Sequence, residues 1–176
     1  MTKIKRSIIC AMCIALCVVL PQMFHTIPNA GSIWLPMHIP VLLCGLICGP
    51  MYGLLCGIFG PILSSVITGM PVIAYLPQMV IECALYGLVS GFMMRIIKTK
   101  SLYLDLYLSL IVAMLIGRIV AGILKALIFM AGKYSLAIWL SSYFVTALPG
   151  IIVQIIVVPS IVVTLIKAKL IKRNYE

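Results

Sequence analysis

Apolar runs of membrane-crossing length follow one another along this chain, separated by short breaks rich in glycine, proline and polar residues. A helix rises about 1.5 Å per residue and needs about 20 mostly apolar residues to cross the hydrocarbon core. Read on that scale, the pattern predicts helices over residues 5–24, 37–48, 50–68, 71–97, 103–132 and 137–167, with a polar, turn-rich loop over 25–36. The predicted architecture is an all-α integral membrane bundle of six transmembrane helices in a single domain, 1–176. Gly49-Pro50 divides the second helix from the third, because proline suits a first helical turn. The second helix is then too short to span alone and must tilt or be completed by the preceding loop. Pro77, Pro149 and Pro159 are expected inside helices, where neighbours re-satisfy the freed carbonyls and a kink opens space. The basic start and apolar run of the first segment also suit a secretory signal, but Pro21-Gln22-Met23-Phe24-His25 follows in place of small cleavage-site residues, so a retained helix is expected.

Composition agrees with that solvent. The chain is 64% hydrophobic and 9% charged, against about 45–50% and about 25% in soluble domains. A net charge of +10 raises nucleic acid as a partner, and the distribution of the 13 basic residues argues against it. Most fall in three clusters at the ends of apolar runs: Lys3, Lys5 and Arg6; Arg95, Lys98 and Lys100; Lys167, Lys169, Lys172 and Arg173. This is the positive-inside pattern, with membrane lipid rather than nucleic acid as the partner. It places both termini and the loop near 95–102 in the cytoplasm, and the loop 25–36, the Gly69-Met70-Pro71 turn and the Gly132-Lys133-Tyr134 turn outside. All seven cysteines lie in apolar runs, where thiols serve as small hydrophobes. No disulfide framework is expected, and the C-x-x-C at Cys10 and Cys13 lacks the context of a redox or metal motif.

Ionisable groups inside a membrane are costly, so each is a functional candidate, with ion pairing as the alternative. Glu82 and Arg118 both fall near the midplane, and the two readings are a structural Glu82–Arg118 bridge or contact of either group with a ligand. Lys125 lies two turns beyond Arg118 on the same face, about 10 Å further outward. The remaining acids, Asp105 and Glu176, sit at the cytoplasmic edge, so Lys125 either snorkels outward or neutralises an anionic ligand. Further polar candidates in the outer half are Gln78, His38, Tyr75, Trp34, Tyr143 and Thr146, with Gln154 nearer the middle. Trp34 and Trp139 also suit interfacial anchors. His38 stands at a helix start, where a cap or backbone contact is favoured over metal ligation. Ala11 and Ala15 form a small-residue pair, A-x-x-x-A, on the first helix, suited to packing or to docking another protein.

No catalytic site is expected. The glycine spacing of Gly117 and Gly122 is followed by Ile123-Leu124 rather than the lysine and hydroxyl residue of a P-loop. No G-x-S-x-G or H-E-x-x-H occurs, and three carboxylates in all leave little for acid–base work. No cofactor or metal is implied. Taken together, the A-x-x-x-A of the first helix, the long outer loop, His38-Ile39-Pro40-Val41-Leu42-Leu43 running into Gly45, and Gly49-Pro50-Met51-Tyr52-Gly53 resemble the substrate-binding S components of energy-coupling factor (ECF) transporters. Pro61-Ile62-Leu63-Ser64-Ser65, Gly69-Met70-Pro71, Ile116-Gly117-Arg118 and Ala147-Leu148-Pro149-Gly150 with Gln154 extend the resemblance along the whole chain. The resemblance implies a multi-pass subunit of a prokaryotic cell membrane that captures a small-molecule vitamin. It implies as partners a transmembrane coupling subunit, docked at Ala11 and Ala15, and two ATPase subunits, and it implies toppling of the S component within the bilayer. It brings Trp34, Gln78, Glu82, Arg118, Lys125, Thr146 and Gln154 into the ligand site. Two cations against one carboxylate favour an anionic vitamin or precursor such as pantothenate over a cationic one such as thiamine; riboflavin-like and pyridoxine-like ligands stay open. The competing readings are a non-transport membrane scaffold locked by a Glu82–Arg118 pair and a membrane-embedded lipid-modifying transferase.

Overall fold

A computed structural model describes residues 1–24, 30–99, 101–129 and 135–171, which are helical throughout apart from short turns. The elements are α1 (Lys3–Met23), α2 (Ala30–Trp34), α3 (His38–Cys48), α4 (Pro50–Thr68), α5 (Leu76–Ile96), α6 (Leu102–Leu124), α7 (Leu136–Leu140) and α8 (Leu148–Lys167). A π-helical turn, Lys125–Phe129, extends α6, and a second, Ser141–Val145, follows α7. Among the described residues, 6 stretches are long and apolar enough to cross a membrane. Residues 25–29 of the expected outer loop, the Gly132-Lys133-Tyr134 turn, Lys100, Lys172 and Arg173 lie outside the described residues.

The fold is built around α3. Every residue from Val41 to Cys48 is buried, so this helix is the axis of the bundle. Alone it is too short to span, and it is completed by the preceding segment, giving a continuous candidate span over Gly31–Cys48. On α1 the buried residues are Cys10, Cys13, Cys17 and Pro21. They recur every three or four positions and form one stripe facing α3 and α4. The opposite face, with Ala11 and Ala15 among Ile8, Met12 and Leu16, is exposed. Buried thiols are used as packing groups and weak donors: the Cys10 and Cys44 Sγ atoms both approach the Tyr52 carbonyl, at 3.5 and 3.4 Å. All seven cysteines are free.

The α3–α4 break comes at Gly49, whose φ of 97° favours glycine, and Pro50 opens α4. The closest helix pair is α4 with α5, where Gly53 meets the Gly87 backbone so tightly that a Cβ on either would strike the other's main chain. Small residues at such a crossing let backbones approach and gain dispersion contacts that lipid tails cannot match.

Two of the expected helices differ from the expectation, each at a proline. The fourth span starts at Leu76 rather than residue 71, because Met70–Tyr75 folds as a turn with a cis Met70–Pro71 peptide. Pro77 therefore sits in the first turn of α5 and Pro149 in the first turn of α8, not in helix interiors. A first-turn N–H has no intrahelical acceptor, so proline costs nothing there, whereas further in it clashes with the carbonyl four residues back. The same clash divides the expected 137–167 helix into α7, a π turn closed by the Thr146 N–H to the Ser141 carbonyl at 2.9 Å, and α8. Pro159 does lie within α8, and Pro21 and Pro61 lie within α1 and α4.

The bundle has two chemically distinct ends. At one, Lys5 Nζ donates to the Leu170 carbonyl, Cys48 Sγ approaches the Arg6 carbonyl at 3.7 Å, and Arg95 lies beside Gly49. Asp105 belongs to this end, buried and accepting from the Thr99 N–H (2.7 Å) and hydroxyl (2.6 Å). At the other end the termini of α1, α4 and α6 and the starts of α3, α5 and α8 surround a cavity.

Candidate substrate-binding site

The cavity has a volume of about 620 Å³, within the range of small-molecule sites. Helical spacing accounts for its polar wall. On α5, Gln78 and Glu82 are four residues apart and share one face, with Tyr86 one turn further on, buried beyond the wall; Arg118 on α6 and Lys125 in the π turn that extends it are two turns apart on another. His38 comes from the first turn of α3, and Tyr143 and Thr146 from the segment leading into α8. His38, Tyr75, Gln78, Glu82, Arg118, Lys125, Tyr143 and Thr146 all line the cavity, Tyr75 and Thr146 at its exposed rim.

The charges are not paired as the midplane argument suggested. Among the described residues no direct Glu82–Arg118 bridge forms. Glu82 Oε1 instead lies 3.6 Å from His38 Nε2, with both side chains nearly excluded from solvent. Arg118 Nε donates to the Tyr86 hydroxyl at 2.7 Å. The guanidinium lies over the Phe144 ring at 5.6 Å, and its Nη1 is buried without a hydrogen-bond partner. His38 does not use its side chain as a cap: its N–H donates to the Leu35 carbonyl at 3.1 Å while the imidazole faces Glu82 and the Tyr86 ring. Lys125 Nζ sits over the Tyr143 ring at 5.7 Å, and the Tyr143 hydroxyl accepts from Gln78 Nε2 at 2.6 Å. A cation on an aromatic face is held partly by the ring quadrupole.

Trp34 and Gln154 do not line the cavity but support its wall. The Trp34 ring stacks on Phe24 with centroids 6.3 Å apart, and its backbone lies against Gly150, where a Cβ would collide with the Ile33 and Trp34 carbonyls. Gln154 is fully buried, and its Nε2 reaches the Leu35 carbonyl at 3.5 Å. Leu35 carries a φ of 50°, so α8 braces the strained turn from which His38 is presented. Trp139, expected as an interfacial anchor, packs on Gly122 and donates from Nε1 to the Arg118 carbonyl at 3.3 Å.

Tyr86 and Phe144, which contact Arg118 without lining the cavity, were not among the expected site residues, nor was the apolar lining from Phe24, Met37, Met79 and the Met70–Val72 turn. For Tyr86 the signal is its position one turn beyond Glu82 and the glycine before Arg118: the Tyr86 ring occupies the space a Gly117 side chain would need.

Six candidate spans around a polar, cation-bearing cavity describe a membrane-embedded binding protein for a small molecule. Residues 5–162 match the family model of the ECF transporter, substrate-specific component. The chain belongs to that family, so it is the multi-pass, substrate-binding, non-catalytic subunit of an ECF uptake system and associates with partners of the ECF module. No curated protein and no solved structure matches the chain.

Proposed function

We propose that this S component captures a small, water-soluble vitamin or precursor carrying a carboxylate, with pantothenate as the model ligand. The observation that carries the reading is Arg118 Nη1, a buried donor without a partner on a guanidinium that lines the cavity. An unpaired buried charge-bearing donor costs free energy, and a ligand carboxylate would relieve that cost with a charge-assisted hydrogen bond. Lys125 on the same wall adds a second positive charge, while Glu82 is engaged by His38. A cationic ligand would meet two like charges.

Capture takes place from outside, since the lysine- and arginine-rich end of the bundle is the one the positive-inside rule assigns to the cytoplasm. On this reading the chain acts as one membrane domain in the prokaryotic cytoplasmic membrane, with a transmembrane coupling subunit and two ATPases supplying the energy. The exposed Ala11–Ala15 face of α1 suits the coupling subunit as a docking surface. Native mass spectrometry of freshly purified protein, followed by titration calorimetry with pantothenate, tests the ligand. Arg118→Met is expected to lower affinity by about 100-fold or more, since a buried partner of a charged group is worth several kcal/mol. Wild-type affinity in Arg118→Met would remove the guanidinium from the site.

A further inference from the structure

Glu82 and Arg118 line one cavity, yet among the described residues they do not form an ion pair. In a water-poor site a carboxylate and a guanidinium attract strongly, and their preferred arrangement is a bidentate pair. A pair of that kind would neutralise the donor on which an anionic ligand depends. Two contacts oppose it. His38, from α3, sits 3.6 Å from Glu82, and Tyr86, from α5, holds Arg118 Nε at 2.7 Å. The imidazole is almost fully buried, and neither ring nitrogen has a hydrogen-bond partner, so the Glu82 carboxylate 3.6 Å from Nε2 is its ionic neighbour rather than a bonded acceptor. Its interactions are thus directed at Glu82 and at the edge of Tyr86, whose ring centroid is 5.1 Å away.

We propose that His38 is a positioning residue that holds Glu82 away from Arg118, and that this division of charge sets the preference of the cavity for a carboxylate-bearing ligand. The proposal rests on the reading of the cavity as an anion-selecting site. Removing His38 frees Glu82 to move onto Arg118 Nη1, so the site loses its unpaired cationic donor without any change at Arg118 itself. Gln154 acts further back in the same chain of contacts, since the Leu35 carbonyl it reaches is also the acceptor of the His38 N–H.

The experiment compares full-length wild type, His38→Ala and His38→Ala/Glu82→Gln in detergent with two readouts. The first is the affinity ratio for pantothenate over pantothenol, the same molecule with an alcohol in place of the carboxylate. The second is modification of Arg118 by 2,3-butanedione in borate, mapped by peptide mass, which reports the free guanidinium whatever the natural ligand. In wild type the ratio is expected at about 10 or more, the worth of one hydrogen bond to a charged group, and Arg118, buried but lining the cavity, is modified slowly. In His38→Ala the ratio falls towards one and modification slows by a similar factor; in the double variant both return. A merely structural role for His38 would lower both affinities together and would not be reversed by Glu82→Gln. Unchanged Arg118 reactivity in His38→Ala, or no recovery in the double variant, overturns the proposal. If wild type binds neither compound, the pantothenate reading fails, and the Arg118 reactivities still decide the role of His38. Should His38→Ala not fold, His38→Leu, which fills the volume without a donor, replaces it under the same criteria.

Discussion

Tyr86 and Gly117 work as a pair: the ring lies where a side chain at position 117 would be, and from there its hydroxyl reaches Arg118 Nε. Two substitutions separate the parts of this arrangement. Tyr86→Phe keeps the ring and removes a hydrogen bond to a charged group worth about 1.5–3 kcal/mol. Affinity for a carboxylate ligand should fall at least ~10-fold in calorimetry, with the helical circular dichroism unchanged. Gly117→Ala raises helix propensity on α6 but forces the Tyr86 ring aside. The expected result is the unusual combination of retained helicity with lost binding. Wild-type affinity in both variants would mean that the guanidinium holds its position without the tyrosine. These contacts also mark where sequence reasoning stopped. Membrane cost alone picked out Glu82, Arg118 and Lys125, because a charged side chain in an apolar run is conspicuous at any distance from its partner. Which of them pair depends on side-chain directions across α3, α5 and α6, and helix spacing within one segment says nothing about those. Their shared depth brings Glu82 and Arg118 to one cavity, but depth says nothing of bonding, and Glu82 faces His38 instead.

Helix existence was legible for a different reason: a bilayer requires long apolar segments, and the chain has no other way to satisfy its backbone in lipid. Boundaries were less so, because proline at residue 77 or 149 reads equally as a kink or as a start, and the packing around it decides. The small residues of α4 and α5 carry more weight than their propensities suggest. Gly53→Leu would drive a branched side chain into the Gly87 backbone and separate the two most closely packed helices. Overpacking of this kind costs about 1–3 kcal/mol and more where backbone is the obstacle. The protein should show a clear drop in its thermal transition in detergent, with part of it aggregating. The opposite expectation holds for the exposed face of α1. Ala11→Trp/Ala15→Trp adds bulk where nothing in the bundle is displaced. Stability and ligand affinity should stay at wild-type values while co-purification with the coupling subunit is lost. Normal co-purification of the double variant would move the docking surface elsewhere.

At the scale of the whole molecule, two sets of observations divide the bundle in the same way. Basic residues gather at the end where Lys5 meets Leu170 and Arg95 lies beside Gly49, and the cavity opens among the helix termini at the other. Charge asymmetry was visible in the sequence because it needs only the order of residues along six spans. The cavity was not visible as a shape, since much of its lining is apolar and belongs to turns such as Met70–Val72 whose path no periodicity predicts. Coupling the two gives a directional prediction. Every native cysteine is buried, so single surface cysteines can be read against a low background. Ile73 is 82% exposed at the cavity end and Leu170 is 53% exposed at the basic end. In intact cells a membrane-impermeant maleimide should label Ile73→Cys directly and Leu170→Cys only after permeabilisation. Because anionic lipid on the cytoplasmic leaflet attracts the lysine- and arginine-rich end, the reverse pattern would require the positive-inside preference to be overcome. It would also turn the cavity towards the cytoplasm, where it could not take up an external vitamin, and so would overturn the direction of transport together with the topology.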